Sequence, residues 1–115
     1  MSIQTVNPYT NKVVKSFDEM TDKTVDTLIE KSTKAFKEWK ETSLAERAKL
    51  LHKVAKLMRD KKESLAKIIT LEMGKLIAQA EGEVVLSADI FDYYADNAAE
   101  FLADKHLKPE FGSAF

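Results

Sequence analysis

The sequence predicts a mostly α-helical chain in which an N-terminal β-hairpin precedes four helices. Between Ile77 and Leu102, apolar residues recur every three or four positions, which is the pattern of one amphipathic helix of about 25 residues. Near the start of the chain, two short β-prone runs flank a turn-forming stretch. We expect residues 1–20 to form the hairpin and residues 21–104 to form the helices, since 115 residues have room for one domain.

The predicted hairpin pairs residues 3–6 with residues 13–17, which are rich in valine and other β-prone side chains. Pro8 in the connection fixes one backbone dihedral, and Asn11 can adopt the left-handed conformation that closes a hairpin. These residues predict a turn between two antiparallel strands.

The first helix is predicted to begin at Thr21 or Asp22, either of which can cap it. Its apolar face carries Val25, Leu28, Ile29, Ser32, Phe36 and Trp39. Phe36 and Trp39 could stack on a ligand, but they continue the helical face at the same spacing. We therefore interpret both rings as core anchors.

A capping box formed by Ser43 and Glu46 predicts the start of the second helix. Its inward face is predicted to carry Ala48, Leu51, Val54, Ala55 and Met58. Asp60 and Glu63 have the spacing to cap a third helix in the same way. The buried face predicted for that helix is Leu65, Ile68, Ile69 and Met73. Gly74 follows, and we expect it to end the third helix in the left-handed conformation.

The fourth helix is the longest, and the other elements are expected to pack around it. Its apolar stripe consists of Ile77, Ala80, Val84, Ala88, Phe91, Ala95, Ala98 and Leu102. An acidic stripe of Asp89, Asp92, Asp96 and Glu100 accompanies it. A carboxylate metal site in a helical bundle would also need a Glu-x-x-His motif on a facing helix, and the sequence has none. We interpret the acidic stripe as a solvated face.

Composition excludes several classes of function. The chain has no cysteine, which excludes disulfides, thiolate metal sites and a cysteine nucleophile within it. Three glycines are too few and too scattered for a phosphate-binding loop. No apolar run approaches 18 residues and no signal-peptide pattern opens the sequence, so we expect a cytoplasmic protein without a membrane partner.

Charge is unevenly distributed although the net charge is only −1. Residues 47–67 hold eight basic side chains, whereas residues 81–104 hold seven acidic ones and no Lys or Arg. Nucleic-acid binding by the basic segment is disfavoured because no binding motif or aromatic interleaving accompanies it. Pairing of the two oppositely charged helices within one fold is the simpler interpretation.

The residues alone predict no active site. His52 and His106 each lack a second ligand at metal-binding spacing, so neither is predicted to be catalytic or to bind a metal. No residue of the chain is predicted to be catalytic or to bind a cofactor. The chain offers packing surfaces only.

Six motifs in order, however, resemble the N-terminal part of the aldehyde dehydrogenase superfamily. They lie at residues 7–10, 35–39, 46–51, 71–75, 82–84 and 93–95. Within that family the sequence is most similar to bacterial NAD(P)-dependent succinate-semialdehyde dehydrogenases. It departs from the usual pattern at Asn11, where the family has Gly, at Leu76, where it has Pro, and at Glu81, where it has Arg. The resemblance implies that residues 1–115 are a partial domain, the N-terminal part of the cofactor-binding domain of an α/β fold.

The resemblance also implies a function for the parent enzyme. In this family a Cys thiolate attacks the aldehyde, a hydride passes to NAD or NADP, and a Glu-activated water releases the acid. All of these groups lie beyond residue 115, so this chain is expected to bind no cofactor and to be inactive alone. Gly82 and Leu86, one turn apart on the fourth helix, match positions that border the aldehyde entrance tunnel. The alternative is that both residues simply pack.

Two further expectations concern partners. The apolar stripes would be covered in the parent fold by a sheet that this chain does not contain, so we expect the isolated chain to self-associate as a dimer or larger. A small aldehyde is expected as a ligand of the parent enzyme alone. The competing hypothesis is a self-standing helical interaction module without enzymatic activity.

Overall fold

A computed structural model of the chain describes residues 3–105 and residue 111. It contains a two-stranded antiparallel sheet, β1 (Ile3–Asn7) and β2 (Lys12–Phe17), followed by four helices. The helices are α1 (Asp22–Trp39), α2 (Leu44–Asp60), α3 (Lys62–Met73) and α4 (Ile77–Phe101). The predicted fold class, a hairpin followed by four helices, is confirmed.

Local hydrogen bonds close the hairpin where the sequence predicts its turn. Asn11 has a φ of 55°, in the left-handed region, and its amide donates to the Asn7 carbonyl at 2.8 Å. The Asn7 carboxamide oxygen also accepts from the amides of Tyr9 and Thr10 at 2.9 and 3.3 Å. The side chain of Asn7 thus reproduces a backbone turn.

Helix starts agree with the predicted caps at α1 and α2 but not at α3. The Thr21 hydroxyl accepts from the Thr24 amide at 3.2 Å, and Ser43 forms both halves of the capping box with Glu46. The predicted cap of α3 is wrong, because Lys61 occupies the N-cap position and makes no side-chain capping bond. Asp60 is instead the last residue of α2, where its carboxylate accepts from Lys56 Nζ at 2.6 Å.

Helices α2 and α3 pack end to end along α4, which serves as the spine of the fold. At 1.5 Å per residue, α4 spans about 37 Å, while α2 and α3 together span about 43 Å. Helix α2 runs antiparallel to α4, because its later residue pairs with the earlier residue of α4: His52 pairs with Asp96, and Arg59 with Asp89. Lys62, the first residue of α3, pairs with Glu81 nearer the start of α4.

The core within the described residues consists of small side chains. Its members are Ala55, Ala66, Ala80, Val84, Ala88 and Ala95. Small side chains let the helix backbones approach closely along the spine. The predicted apolar stripe of α4 is therefore confirmed at its centre. The buried face predicted for α3 is wrong at Ile68 and Met73, which are exposed, while Leu65 and Ile69 are half-buried and Ala66 is the buried residue of this helix.

Helix α1 stands apart from the spine. None of its residues is buried, and Phe36 and Trp39 are 61% and 46% exposed. Within the part of the chain that the structure describes, no other element covers the apolar face of α1 to any extent. The expectation that Phe36 and Trp39 anchor a core is thus wrong for this chain taken alone.

The surface of the chain is far larger than that of a compact protein of its size. Its accessible area is 9907 Å², against about 6,300 Å² expected from its mass. The radius of gyration is 20.8 Å, against about 13 Å for a compact domain of this length. These values describe an open arrangement with about 3,600 Å² of additional surface.

Candidate functional site

An apolar groove runs along α4, where α2 and α3 meet it. Its volume is about 470 Å³. The groove is lined by Met58, Leu65, Ile68, Ile69, Glu83, Val84, Leu86, Ser87 and Ile90. Of the two residues predicted to border an aldehyde tunnel, Leu86 lies in the wall of this groove and is 59% exposed. Gly82 lies one turn earlier on α4 and is exposed.

Open space surrounds Gly82. No atom outside the local helix backbone lies within 4 Å of the position that a Cβ would occupy there. Within this chain, then, Gly82 is not required by close packing.

Three carboxylates of α4 face an arginine and a histidine of α2 in what we call the α2–α4 charge cluster. It consists of His52, Arg59, Asp89, Asp92 and Asp96. The His52 Nδ1 and Nε2 atoms lie 2.7 and 3.3 Å from carboxylate oxygens of Asp92 and Asp96. The two terminal nitrogens of Arg59 lie 2.6 and 2.7 Å from carboxylate oxygens of Asp89 and Asp92.

The cluster changes the interpretation of the acidic stripe. Asp89, Asp92 and Asp96 bind α2 rather than forming only a solvated face, and the predicted pairing of oppositely charged helices is confirmed. Hydrogen bonds from His52, and then from Arg59, lower the pKa of Asp92. The same contacts, first with Asp89 and then with Asp92, raise the pKa of Arg59.

The cluster acts as an electrostatic clamp: its side-chain contacts attach α2 to α4. Each of its three carboxylates already contacts Arg59 or His52. The part of the chain described by the structure contains no group of His, Asp and Glu residues that could hold a metal ion. His106 lies outside the described residues. Two more ion pairs, Lys62 with Glu81 and Lys75 with Glu83, extend the clamp along α3 and the start of α4.

The described residues do not fit a nucleotide cofactor. Phosphate-binding turns join a strand to a helix and need glycine where the backbone meets the phosphates. Gly74 instead ends α3 and faces the ring of Pro8, while Gly82 lies inside α4. Gly112 lies outside the described residues. No nucleotide-binding step can be assigned to these residues.

The structural role of Arg47 was missed by sequence reasoning. Its guanidinium donates to the carbonyls of Trp39 and Lys40 at 2.9 and 3.1 Å and to the Thr42 hydroxyl at 2.9 Å. It also lies over the Trp39 ring, 5.3 Å from the centroid. Arg47 therefore holds the corner between α1 and α2. The only signal in the sequence for this role was the position of Arg47, which lies one turn into α2, just after the short connection from α1.

Among the described residues, no helix combines the length with the mean hydropathy that crossing a membrane requires.

Comparisons with known proteins point to one family. The model of the "Aldehyde dehydrogenase family" matches residues 1–113. The chain is 41% identical over 110 residues to a succinate-semialdehyde dehydrogenase [NADP(+)] of Deinococcus radiodurans, covering 96% of this chain and 23% of that protein. A protein of Mycobacterium ulcerans named succinate-semialdehyde dehydrogenase [NADP(+)] 1 is 42% identical over 106 residues, covering 91% of this chain and 23% of that protein.

Solved structures show the same relationship. The succinic semialdehyde dehydrogenase of Streptococcus pyogenes, in complex with NADP+, superposes with a TM-score of 0.89 at 44% identity, covering 96% of this chain and 24% of that one. A glyceraldehyde-3-phosphate dehydrogenase of Methanocaldococcus jannaschii, complexed with NADP, superposes with a TM-score of 0.83 at 28% identity, covering 93% and 23%. The chain spans about a quarter of the length of these proteins.

Proposed function

The chain belongs to the aldehyde dehydrogenase family, and we propose that it is the N-terminal segment of an NADP-dependent succinate-semialdehyde dehydrogenase. The names of its relatives in Deinococcus and Mycobacterium support this substrate and this cofactor. The order of the six family motifs supports the N-terminal position. The reaction would oxidise succinate semialdehyde to succinate, with NADP+ accepting the hydride and water supplying the second carboxylate oxygen.

The observation that most supports this proposal is the large apolar surface that the chain leaves uncovered. The same chain matches its relatives over almost its whole length. The only side chains buried among the described residues are five alanines and one valine. Large apolar side chains of the hairpin and α1 stay exposed, including Phe17, Leu28 and Phe36. Patches of this extent are rare on monomers and mark interfaces. The remainder of an enzyme about four times as long would cover them.

In the proposed enzyme, this chain and the rest of the protein would supply different parts of the active site. The chain has no cysteine, so the thiol that attacks the aldehyde comes from elsewhere in the protein. Its described residues also do not fit the nucleotide. What the chain supplies is a rigid wall: α4, braced by α2 and α3, presents Gly82 and Leu86 to the aldehyde route. The stiffness of this wall comes from alanine packing and from the ion pairs along α4.

A chimera tests this function. In the Deinococcus enzyme, the 110-residue matched stretch is replaced by the corresponding residues of this chain, and NADPH formation from succinate semialdehyde is followed at 340 nm. We expect turnover within about tenfold of the unmodified enzyme, a difference of about 1.4 kcal/mol in barrier. A folded chimera that forms no NADPH would contradict the proposal. Val84→Asp, which places a charge in the core of the wall, is the negative control.

The isolated chain should form no NADPH and should self-associate. Without the rest of the proposed enzyme, part of the apolar surface would be covered by a second copy of the chain. This association is favourable because burying each large apolar side chain contributes about 1.5–3 kcal/mol of free energy. Light scattering after size exclusion should therefore give a mass above one chain at micromolar concentration. A monomer with cooperative unfolding would instead favour the self-standing interaction module, which no observation in the described residues supports.

A further inference from the structure

The groove that contains Leu86 has one charged side chain among the described residues that line it. That side chain is Glu83, and the rest of the lining is apolar apart from Ser87. Glu83 and Leu86 are three residues apart on α4, so their Cβ atoms lie about 5–6 Å apart on one face of the helix. The Glu83 side chain is 48% exposed. A ligand that contacts Leu86 would therefore lie close to the charge of Glu83.

The carboxylate of Glu83 is bound by the ammonium group of Lys75. Nζ of Lys75 donates a hydrogen bond to Oε1 of Glu83. Lys75 lies between Gly74, which ends α3 in the left-handed conformation, and Leu76, which occupies the N-cap position of α4. It is not one of the residues that line the groove. Lys75 thus neutralises Glu83 without taking up space in the groove.

Other charges of α3 and α4 near the groove have different partners. Lys62 pairs with Glu81 at 3.1 Å, and neither residue lines the groove. The carboxylates of the α2–α4 charge cluster are held by α2 and also lie outside the lining. Among the described residues, Lys75 is the cation that pairs with Glu83. Removing the lysine would therefore leave the groove with an unpaired negative charge.

We propose that Lys75 is a specificity-determining residue, which masks the charge of Glu83 so that an aldehyde bearing a carboxylate can enter the groove. The inference rests on the proposed function, in which the groove belongs to the aldehyde route. Succinate semialdehyde carries a negative carboxylate at neutral pH, and an unpaired Glu83 would repel it. Repulsion between two like charges about one helical turn apart in water changes binding about two- to fourfold.

The first test compares a charged with a neutral aldehyde in the active chimera. Lys75→Gln should raise the KM for succinate semialdehyde about two- to fourfold at low salt. The KM for its methyl ester, which has no charge, should stay the same, and kcat should stay within twofold for both aldehydes. The difference should disappear in 1 M salt, where the Debye length is about 3 Å. A purely structural role of Lys75 would change both KM values alike.

Two further variants identify the source of the effect. Lys75→Gln combined with Glu83→Gln should restore the KM for succinate semialdehyde, because no charge is left to mask. Lys62→Gln is the matched control, since it removes the lysine of an ion pair that lies outside the groove lining. It should leave the ratio of the two KM values unchanged. An equal rise for both aldehydes in Lys75→Gln, or a rise that Glu83→Gln does not reverse, overturns the masking role.

The second test needs no catalysis and uses the 115-residue chain, which has no cysteine of its own. Leu86→Cys places a single thiol in the groove. Its rates of reaction are measured with a dianionic disulfide, 5,5′-dithiobis(2-nitrobenzoate), and with a neutral one, 2,2′-dithiodipyridine. The same thiolate attacks both reagents, so the ratio of the rates reports the charge around it. Adding Lys75→Gln should lower the ratio of the dianionic to the neutral rate about three- to tenfold, and adding Glu83→Gln as well should restore it.

The outcomes separate this inference from the proposed function. An inactive chimera contradicts the proposed function, while the thiol reactivity of the isolated chain still decides whether Lys75 masks Glu83. A ratio of rates that Lys75→Gln leaves unchanged overturns the masking role, whatever the activity of the chimera. Masking in the isolated chain, together with an unchanged KM for succinate semialdehyde in the active chimera, overturns the link to substrate entry.

Discussion

Gly74 lies directly against Pro8, so that the turn of the hairpin rests on the residue that ends α3. A Cβ at position 74 would lie 3.0 Å from Cγ of the Pro8 ring. Gly74 also has a φ of 70° and donates its amide to the Thr70 carbonyl at 3.0 Å. Gly74 therefore ends α3 and also contacts the turn of the hairpin, at the point where α3 connects to α4.

Replacing Gly74 by alanine should destabilise the chain. The left-handed conformation costs a residue with a Cβ about 1–2 kcal/mol, and the contact with Pro8 adds to this cost. Gly82→Ala is the matched control, because position 82 is helical and open, and alanine is favoured there by up to about 1 kcal/mol. Urea unfolding should show changes of opposite sign. A loss of stability in both variants would contradict this account of Gly74.

Replacing Arg47 by lysine should loosen the corner between α1 and α2. Lysine keeps the charge but cannot contact Thr42, Trp39 and Lys40 with one planar group, so we expect a loss of about 1–2 kcal/mol. Trp39 is the only tryptophan and lies under the Arg47 guanidinium, so its fluorescence emission should shift to the red. Arg59→Lys is the control and should leave the emission unchanged. An unaltered spectrum in Arg47→Lys would show that the stacking is absent in solution.

Replacing Leu76 by proline, the residue usual in the family, should stabilise the chain. Leu76 has a φ of −59°, which is close to the value that proline fixes. Its amide donates no hydrogen bond to any of the residues that the structure describes. Restricting the unfolded chain should contribute about 0.4–1 kcal/mol, measured as a higher urea midpoint. Leu102→Pro, at the other end of α4, should instead destabilise, since the Leu102 amide donates to the Ala98 carbonyl.

Acid should weaken the attachment of α4 through Asp92. His52, first, and Arg59 lower the pKa of Asp92 below its ordinary value of 3.8. A carboxyl group with a lowered pKa stabilises the fold above its ordinary value, and this contribution is lost as the pH falls through the lowered pKa. Asp92→Asn should therefore reduce stability at pH 6 and lessen the loss between pH 5 and pH 2.

The control for Asp92 is Asp26→Asn, the same chemical change on α1. Asp26 is exposed on a helix that lies away from the spine, so its unfolding curve at each pH should follow that of the wild-type chain. Equal acid sensitivity of Asp92→Asn and the wild-type chain would show that the α2–α4 charge cluster does not contribute to acid unfolding.

Local signals predicted the elements well because each rests on neighbouring residues. The hairpin turn at Asn11, the capping box at Ser43 and the end of α3 at Gly74 are decided by backbone conformations within a few positions. The length of α4 follows from its uninterrupted periodicity. Helix faces were harder to predict. Periodicity shows that α1 has an apolar side, but it does not show which element packs against that side, and Phe36 and Trp39 stay exposed.

The candidate site depended on contacts that periodicity does not specify. His52 and Asp92 are 40 positions apart, and neither forms a motif. The signal that could have joined them is the equal spacing of two pairs: His52 and Arg59 are seven residues apart, as are Asp89 and Asp96. Seven residues are about two helical turns, so each pair lies on one face. An antiparallel arrangement of α2 and α4 brings the two faces together.

The central claim, that α4 forms a wall of the aldehyde route, is tested most directly by the kinetics of Leu86→Phe in the chimera. The larger ring should narrow the route and raise the KM for succinate semialdehyde about tenfold, a magnitude typical of small steric changes in a pocket. The KM for NADP+ and kcat should stay within twofold. Val85→Phe, on the adjacent face of α4, is the control. Unchanged kinetics in Leu86→Phe, or an equal effect in Val85→Phe, would contradict the claim.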